Sequence, residues 1–529
     1  MPKILINERD YTSAGTPGSY DNYAVLITGY AARTPVLAKD ATETKPADKI
    51  QPDENGVYEF FSKQEFLDTI GAAAVEKKSG EEIAEYHYGN KMAQELLSMG
   101  YPVVYKVINK ISDMQSETFW EIFKDKASYD FRFVNHGLLE SCYDAVEHTS
   151  LNDRIAKLKA DIKKLEEIDI EASKTEQYKT DPTGACEVEF TRVTEEEGYV
   201  FSLGTGDEEY ATYNQAMNET SGIAFALEHF KGKLDEHNEK FVTIDVFNNI
   251  NEQIALLASS RGDCTALIEL DEDIYCEAGS SNRPETLIIS GIKGLSSKLS
   301  GKGEYCALTV PSVHYYVDGK KTNKLPGAFH YLACFKRSLD SGFAEWYAAA
   351  GYTRGVANAV IDHTSVKLGE IAINALEPRN IEDQESQPPF ACNVIANFRG
   401  SYYLWGNRTA APLGDAKGSE DNDLTAKHFL NIRQLCTTIK KQLYVACRRF
   451  TFDPNSDLLW IKFENAITPT LDRMKADQGI RDYRIIPVAT DKKATLKAKL
   501  RIIPIEAVED FDIEIALEDS FGGVAVTAV

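Results

Sequence analysis

The run Tyr23-Ala24-Val25-Leu26-Ile27-Thr28-Gly29-Tyr30 is apolar for almost its whole length and follows a stretch, 11–20, that holds two glycines and a proline. A run of this length and character predicts a strand buried on both faces, and such a strand needs sheet neighbours on either side and helices above and below. The following segments supply them. Residues 57–61 read as a strand, 90–99 as an amphipathic helix stopped by Gly100, and 101–108 as a further strand, with another at 129–134. Strand, helix, strand predicts an α/β layer. After a break the pattern resumes: 241–247 and 264–270 read as strands with a helix at 251–259 between them. The Gly/Ser/Lys-rich stretch 290–303 reads as loop, and 305–310 with 313–317 as paired strands. The expected fold class is mixed α/β and multidomain.

Two β-prone runs stand apart from this layer. Lys3-Ile4-Leu5-Ile6 and Val524-Ala525-Val526-Thr527-Ala528-Val529 have no evident partner nearby in sequence. Unpaired N–H and C=O groups along such a run template another chain's sheet, so Ile4, Leu5, Ile6, Val524, Val526 and Val529 are expected to form exchanged arms. Gly522 and Gly523 are expected to act as the arm hinge, because glycine accepts backbone angles that other residues avoid. The alternating segment 510–517 precedes that hinge.

At 529 residues the chain exceeds what one hydrophobic core serves. Shifts in composition divide it into an arm, 1–20; a first α/β part, 21–139; an insert, 140–240; a second α/β part, 241–410; a C-terminal domain, 411–521; and an arm, 522–529. Within the insert, Leu151, Ile155, Leu158, Ile162, Leu165 and Ile168 recur at three- and four-residue spacing, a helix with a narrow apolar stripe. That stripe fits either half of an intradomain hairpin or a coiled-coil docking site for a partner.

Several function classes find no support. No apolar run approaches the roughly 20 residues of a membrane span, and the first residues lack the apolar stretch of a secretory signal. A net charge of −24 opposes a general affinity for nucleic acid. The nine cysteines are odd in number, scattered and free of any C-x-x-C pair, which points to reduced thiols. Gly294 to Lys302 has the wrong spacing for a P-loop, the nine histidines form no H-E-x-x-H, and there is no G-x-S-x-G elbow. No catalytic residue, metal or cofactor is expected.

One block is basic. Residues 424–450 contain Lys427, Arg433, Lys440, Lys441, Arg448 and Arg449 and no Asp or Glu, with apolar residues at helical spacing. It reads either as a docking surface for a negative partner or as a surface helix whose cations pair with acidic neighbours.

In the order of its segments the chain resembles the tail sheath proteins of contractile-tailed bacteriophages and related contractile injection systems. Tyr352-Thr353-Arg354-Gly355-Val356, Trp405-Gly406-Asn407-Arg408-Thr409 and Phe452-Asp453-Pro454-Asn455 carry the resemblance, together with the strand and helix segments above. It implies a structural subunit and not an enzyme. Copies would form hexameric rings, stacked helically around a tail tube protein and bounded by baseplate and tail terminator proteins, and joined by terminal arms that complete a neighbour's sheet. Domain 411–521 would face the tube, with Lys440, Lys441, Arg448 and Arg449 as its contacts. The location implied is a virion tail assembled in the host cytoplasm, with no direct nucleic-acid contact and no membrane insertion. Another self-assembling virion protein of tube or capsid type, or an α/β enzyme, is the alternative.

Overall fold

The computed structural model describes residues 23–33, 35–37, 48–72, 88–109, 111–139, 188–194, 198–203, 211–213, 244–276, 282–316, 322–356, 361–377, 388–412, 425–489, 496–505 and 507. The strands are β1 (Val25–Gly29), β2 (Val57–Phe60), β3 (Val103–Val107), β4 (Phe133–Asn135), β5 (Val188–Thr194), β6 (Gly198–Leu203), β7 (Ala211–Tyr213) and β8 (Thr265–Ile268). They continue with β9 (Cys306–Val310), β10 (Val313–Tyr316), β11 (Thr322–Leu325), β12 (Ile361–Thr364), β13 (Asn393–Phe398), β14 (Ser401–Trp405), β15 (Ile480–Pro487) and β16 (Ala498–Pro504). The helices are α1 (Lys63–Thr69), α2 (Gly89–Ser98), α3 (Glu117–Glu121), α4 (Ile244–Arg261), α5 (Glu272–Cys276) and α6 (Pro284–Ser296). After these come α7 (Gly327–Asp340), α8 (Gly351–Arg354), α9 (Glu370–Leu376), α10 (Leu430–Arg449) and α11 (Asp457–Ala476).

Eight strands form one sheet in the order β14-β13-β9-β8-β4-β1-β3-β2. The six inner strands run parallel, and the two edge strands β2 and β14 run antiparallel to their neighbours. Parallel strands are covered on both faces, and two apolar layers do this here. One packs α4, α6 and α9 against Leu26, Val134, Ala266 and Leu308. The other packs α2 and α7 against Val25, Ile27, Phe133 and Leu267. The strands expected at 23–30, 57–61, 101–108 and 264–270 are present. The helix stopped by Gly100 is present too, with that glycine at φ +82°.

Four sequence expectations are corrected. The 241–247 segment is not a strand where the structure describes it, because α4 starts at Ile244 and buries Phe247 and Ile250 on the face that continues to Ile254 and Ala258. The stretch 290–303 is not loop: α6 runs through Ser290–Ser296, and Gly291 is small because a Cβ there would stand 2.7 Å from Leu270. The strands at 306–310 and 313–316 do not pair with each other. β9 lies between β8 and β13, whereas β10 leaves the layer to join β11 and β12. The strand expected at 129–134 begins only at Phe133, since Tyr129 and Arg132 turn inward to other partners.

Within 140–240 the described residues form a three-stranded antiparallel sheet, β5-β6-β7. The apolar stripe at 151–168 lies outside the described residues, as do both arms and the hinge.

A separate C-terminal unit consists of α10 from Leu435 onward, α11 and the antiparallel pair β15-β16. Leu435, Ile439, Phe463, Ile467, Leu471, Met474 and Ile480 make its core, joined by Trp346 from the α7–α8 connection.

Candidate interaction site of the C-terminal unit

α10 belongs to two cores. Its first residues pack with the sheet, and there Arg132, beside β4, holds it with three hydrogen bonds. Arg132 Nε donates to Gln434 Oε1 at 2.8 Å, and Nη2 donates to Gln434 O at 2.8 Å and to Thr438 Oγ1 at 2.6 Å. Thr438 Oγ1 donates onward to the buried Glu345 carboxylate at 2.7 Å, and Gln434 Nε2 reaches Thr265 Oγ1 at 3.0 Å. The guanidinium also lies over the rings of Tyr23 and Phe335. A buried cation is tolerated when its donors are satisfied in this way. One turn on, Lys441 pairs with Asp130 and donates to Phe131 O.

The segment 405–409 fastens the start of the same helix. Asn407 Oδ1 accepts from Asn431 N at 3.0 Å, and Asn407 Nδ2 donates to Asn431 Oδ1 at 2.7 Å. Arg408 pairs with Glu377 and lies over Phe429. Gly406 sits at φ +138° with its would-be Cβ 2.9 Å from Asn393 Cα, so only glycine fits there. Arg354 is likewise an internal joint, donating from Nε to Ala348 O. Two of the three motifs that carry the sequence resemblance therefore fix the scaffold.

The third motif is at the exposed tip of the α10–α11 hairpin. Phe452 is 91 % exposed and its φ is +76°, a left-handed conformation that a bulky residue rarely adopts. Arg448 and Arg449 are exposed beside it, as are Leu458 and Ile461. Of the four basic candidates, Lys441 is thus turned inward by its internal ion pair. Lys440 is exposed as a residue, yet its ammonium lies 5.3 Å from the Tyr305 ring centroid, where desolvation and then Arg433 lower its pKa. Arg448 and Arg449 are exposed toward the tip, Arg448 with its guanidinium 5.6 Å from the Tyr444 ring centroid. Sequence reasoning missed Phe452 as a surface group; its position in a Phe-Asp-Pro-Asn turn was the available signal.

The β15-β16 sheet is the other open feature. Its inner residues Tyr483, Ile485, Leu500 and Ile502 pack on the unit's core but remain only half-buried. On the outer side Arg484 stands directly opposite Arg501, with Lys499 two residues along. Among the described residues neither strand has a third partner.

By contrast, the crevice at which open α/β sheets bind ligands, beyond the carboxyl ends of β1 and β4 where the strand order reverses, is filled. Tyr105 Oη and Asn90 Nδ2 both donate to Tyr30 O, Thr28 Oγ1 donates to His136 O, and a Cβ on Gly29 would overlap Tyr105. Behind it, His136 Nδ1 accepts from Leu138 N while Nε2–H donates to Asn251 Oδ1 at 3.0 Å. Asn251 Nδ2 donates to Glu269 O, and Asn135 Nδ2 donates to Glu269 Oε1. Burial lowers the His136 pKa to about 4 and pushes the Glu269 carboxyl well above its usual range. These groups satisfy one another. Among the described residues no cluster of three or more His, Cys, Asp or Glu is placed to hold a metal, and no helix is long and apolar enough to cross a membrane.

No family model matches the chain, and no curated protein does. Among solved structures, a chain of the six-fold symmetrised anti-feeding prophage (AFP) baseplate is similar over 98% of this chain and 99% of its own, at 11% identity and a TM-score of 0.50. Two others are the PVC sheath complex of an extracellular contractile injection system in its contracted state and the sheath tail protein of Desulfitobacterium hafniense. The first has 14% identity over 51% of this chain and 68% of that one, with a TM-score of 0.38; the second has 7% identity over 95% and 100%, with a TM-score of 0.35. At the level of fold, the chain is like this chain of the anti-feeding prophage baseplate along nearly the whole length of both.

Proposed function

We propose that the chain is a structural subunit of a contractile sheath, polymerising as stacked hexameric rings around an inner tube and shortening to drive that tube through a target envelope. The open β15-β16 sheet, half-buried on its inner face, carries this reading. A two-stranded ribbon is marginal by itself, and strands from neighbouring copies would complete it. The arms at 3–6 and 524–529 are the proposed donors, swinging on Gly522 and Gly523. An arm making four or five hydrogen bonds at ~0.5–1.5 kcal/mol each adds a few kcal/mol per junction. Repeated along a polymer, such junctions hold subunits together while the folded units move as rigid bodies.

The tip of the α10–α11 hairpin is the proposed tube contact, through Arg448 and Arg449. Exposed ion pairs are weak and screened, which suits a contact that must release. A tail tube protein, baseplate and tail terminator are the partners in this reading, and the location is a tail-like particle assembled in the host cytoplasm. The subunit itself performs no catalysis.

A second reading, a baseplate ring component, is favoured by one observation: the full-length fold likeness is to a chain of a baseplate. Negative-stain microscopy of the purified protein separates the two. Hollow striated cylinders are expected for a sheath, and single discrete rings would replace it with a baseplate role. Deletion of 1–6 or of 524–529 is expected to leave a folded protein that does not polymerise; normal cylinders from either truncation would remove the exchanged-arm mechanism.

A further inference from the structure

We infer that the face of α10 carrying Arg433 and Lys440, together with Tyr305, is a binding site for a small multivalent oxyanion, of which inorganic phosphate is the simplest. The site stands apart from the sheath reading and does not depend on polymerisation. Arg433 and Lys440 are two turns apart on one face of α10. Their Cζ and Nζ atoms lie 4.3 and 5.3 Å from the centroid of the Tyr305 ring, which immediately precedes β9. Gly262, at φ +68° just after α4, keeps the place open: a Cβ there would stand 3.1 Å from the Lys440 ammonium and 3.9 Å from the tyrosine ring. Arg433 forms the buried floor, and Lys440 and Lys427 are exposed at the rim.

The positive charge gathered here is poorly answered. Among the described residues Lys440 makes no hydrogen bond or ion pair, and its contact is with the ring. Arg433 is nine-tenths buried, yet its Nε–H has no hydrogen-bond partner. Glu304 is divided between Arg433 Nη2 at 3.6 Å and Lys427 Nζ at 3.9 Å, both too long for a hydrogen bond. Arg433, Lys440 and Lys427 thus surround one carboxylate, with Lys126 near enough to act on Lys440. Desolvation and then Arg433 lower the Lys440 pKa; Glu304 opposes them and acts less than Arg433 does. A buried cation short of acceptors is costly, and a guanidinium cannot shed its proton to escape that cost. An oxyanion relieves it, since it accepts from several donors at once, and a guanidinium beside an ammonium is the donor set such groups select. Because the ligand would touch α10 beside the turns that lead from α4 and into β9, occupancy braces that helix against the sheet layer.

Inorganic phosphate is the probe, added to the full-length protein and compared with sodium chloride at matched ionic strength. Calorimetric titration is expected to show saturable binding of phosphate, and melting temperature is expected to climb with phosphate and level off, as mass action requires. Lys440→Gln, at an exposed position, is expected to weaken that binding about tenfold or more, the loss of one hydrogen bond to a charged group. Arg433→Lys keeps the charge but not the planar donor fork and is expected to weaken it as well. Arg473→Gln removes one positive charge from the exposed side of α11 and is expected to leave phosphate binding unchanged. Equal stabilisation by chloride would reduce the effect to general screening and overturn the inference. Absence of saturable binding would do the same, as would binding that survives both Lys440→Gln and Arg433→Lys, which would place the phosphate elsewhere.

Discussion

The indole of Trp346 lies against Gly479: a Cβ on residue 479 would stand 2.9 Å from the ring, and Nε1–H donates to Asp477 O at 3.0 Å. This contact joins the α7–α8 connection to the turn before β15, and Asn431 Nδ2 holds the same tryptophan through its carbonyl. The C-terminal unit is therefore pinned to the α/β sheet by a ring on one side and by α10 on the other.

Trp346→Ala removes a large buried side chain from a small core, and ~3–5 kcal/mol of stability is expected to be lost. Gly479→Ala should reproduce part of that loss by displacing the indole. Urea unfolding followed by tryptophan fluorescence and circular dichroism checks both. Coincident wild-type-like transitions in either variant would mean the contact is not stabilising.

Arg132 offers a second test. Arg132→Ala leaves the Gln434 and Thr438 oxygens without their buried donor, so a loss of ~1–3 kcal/mol for each acceptor left unpaired is expected. In a double-mutant cycle with Gln434→Ala the two losses should be strongly non-additive. Simple additivity would show that the groups act independently.

Acid and base act on the buried network with opposite signs. The folded-state pKa of His136 is depressed to about 4 from an unfolded value near 6.5. Its contribution is therefore present above the unfolded value and lost as pH falls through that window, when a proton on Nδ1 would face the Leu138 N–H. Glu269 is raised, so the folded state holds a proton that the unfolded chain releases, and stability declines as pH rises above the ordinary carboxyl range. Glu269→Gln keeps an acceptor for Asn135 and is expected to raise the melting temperature at pH 8, with the gain shrinking toward pH 4. Melting curves across pH decide it; a constant gain would show that Glu269 does not carry the slope.

Phe452→Asn separates folding from docking. The side chain packs on little of its own chain and its backbone is left-handed, where asparagine is better tolerated. Stability is expected to hold or rise by up to ~1 kcal/mol, while association with the inner tube protein weakens in co-sedimentation. A fall in melting temperature would place Phe452 in the fold instead.

The central layer is legible in the sequence because β1, β3 and β8 are buried on both faces, leaving continuous apolar runs that need no knowledge of partners. What is hidden depends on tertiary context. Gly291 and Gly294 make α6 look like loop, yet Gly291 is there to admit Leu270. Val246 and Phe247 look β-prone, but α4 gains more by burying Phe247 with Ile250 and Ile254 in one stripe. Alternation identifies β9 and β10 as strands without saying that they serve different sheets. At the candidate site, the cationic character of α10 is plain from composition, whereas the inward turn of Lys441 depends on Asp130, more than three hundred residues away. The opposed arginines of the ribbon are visible as an alternating pattern only once their register is known.

α10 is a single twenty-residue helix held in its first half by Arg132 and the 405–409 joint and resting, through Leu443, Ala446 and the Phe450 that follows it, on the core of the C-terminal unit. Such a helix spans about 30 Å, so a tilt of about 10° about its anchored end displaces the far end by about 5 Å. In the sheath reading it would serve as a lever, turning a small rotation of the sheet layer into a larger sweep of the tip.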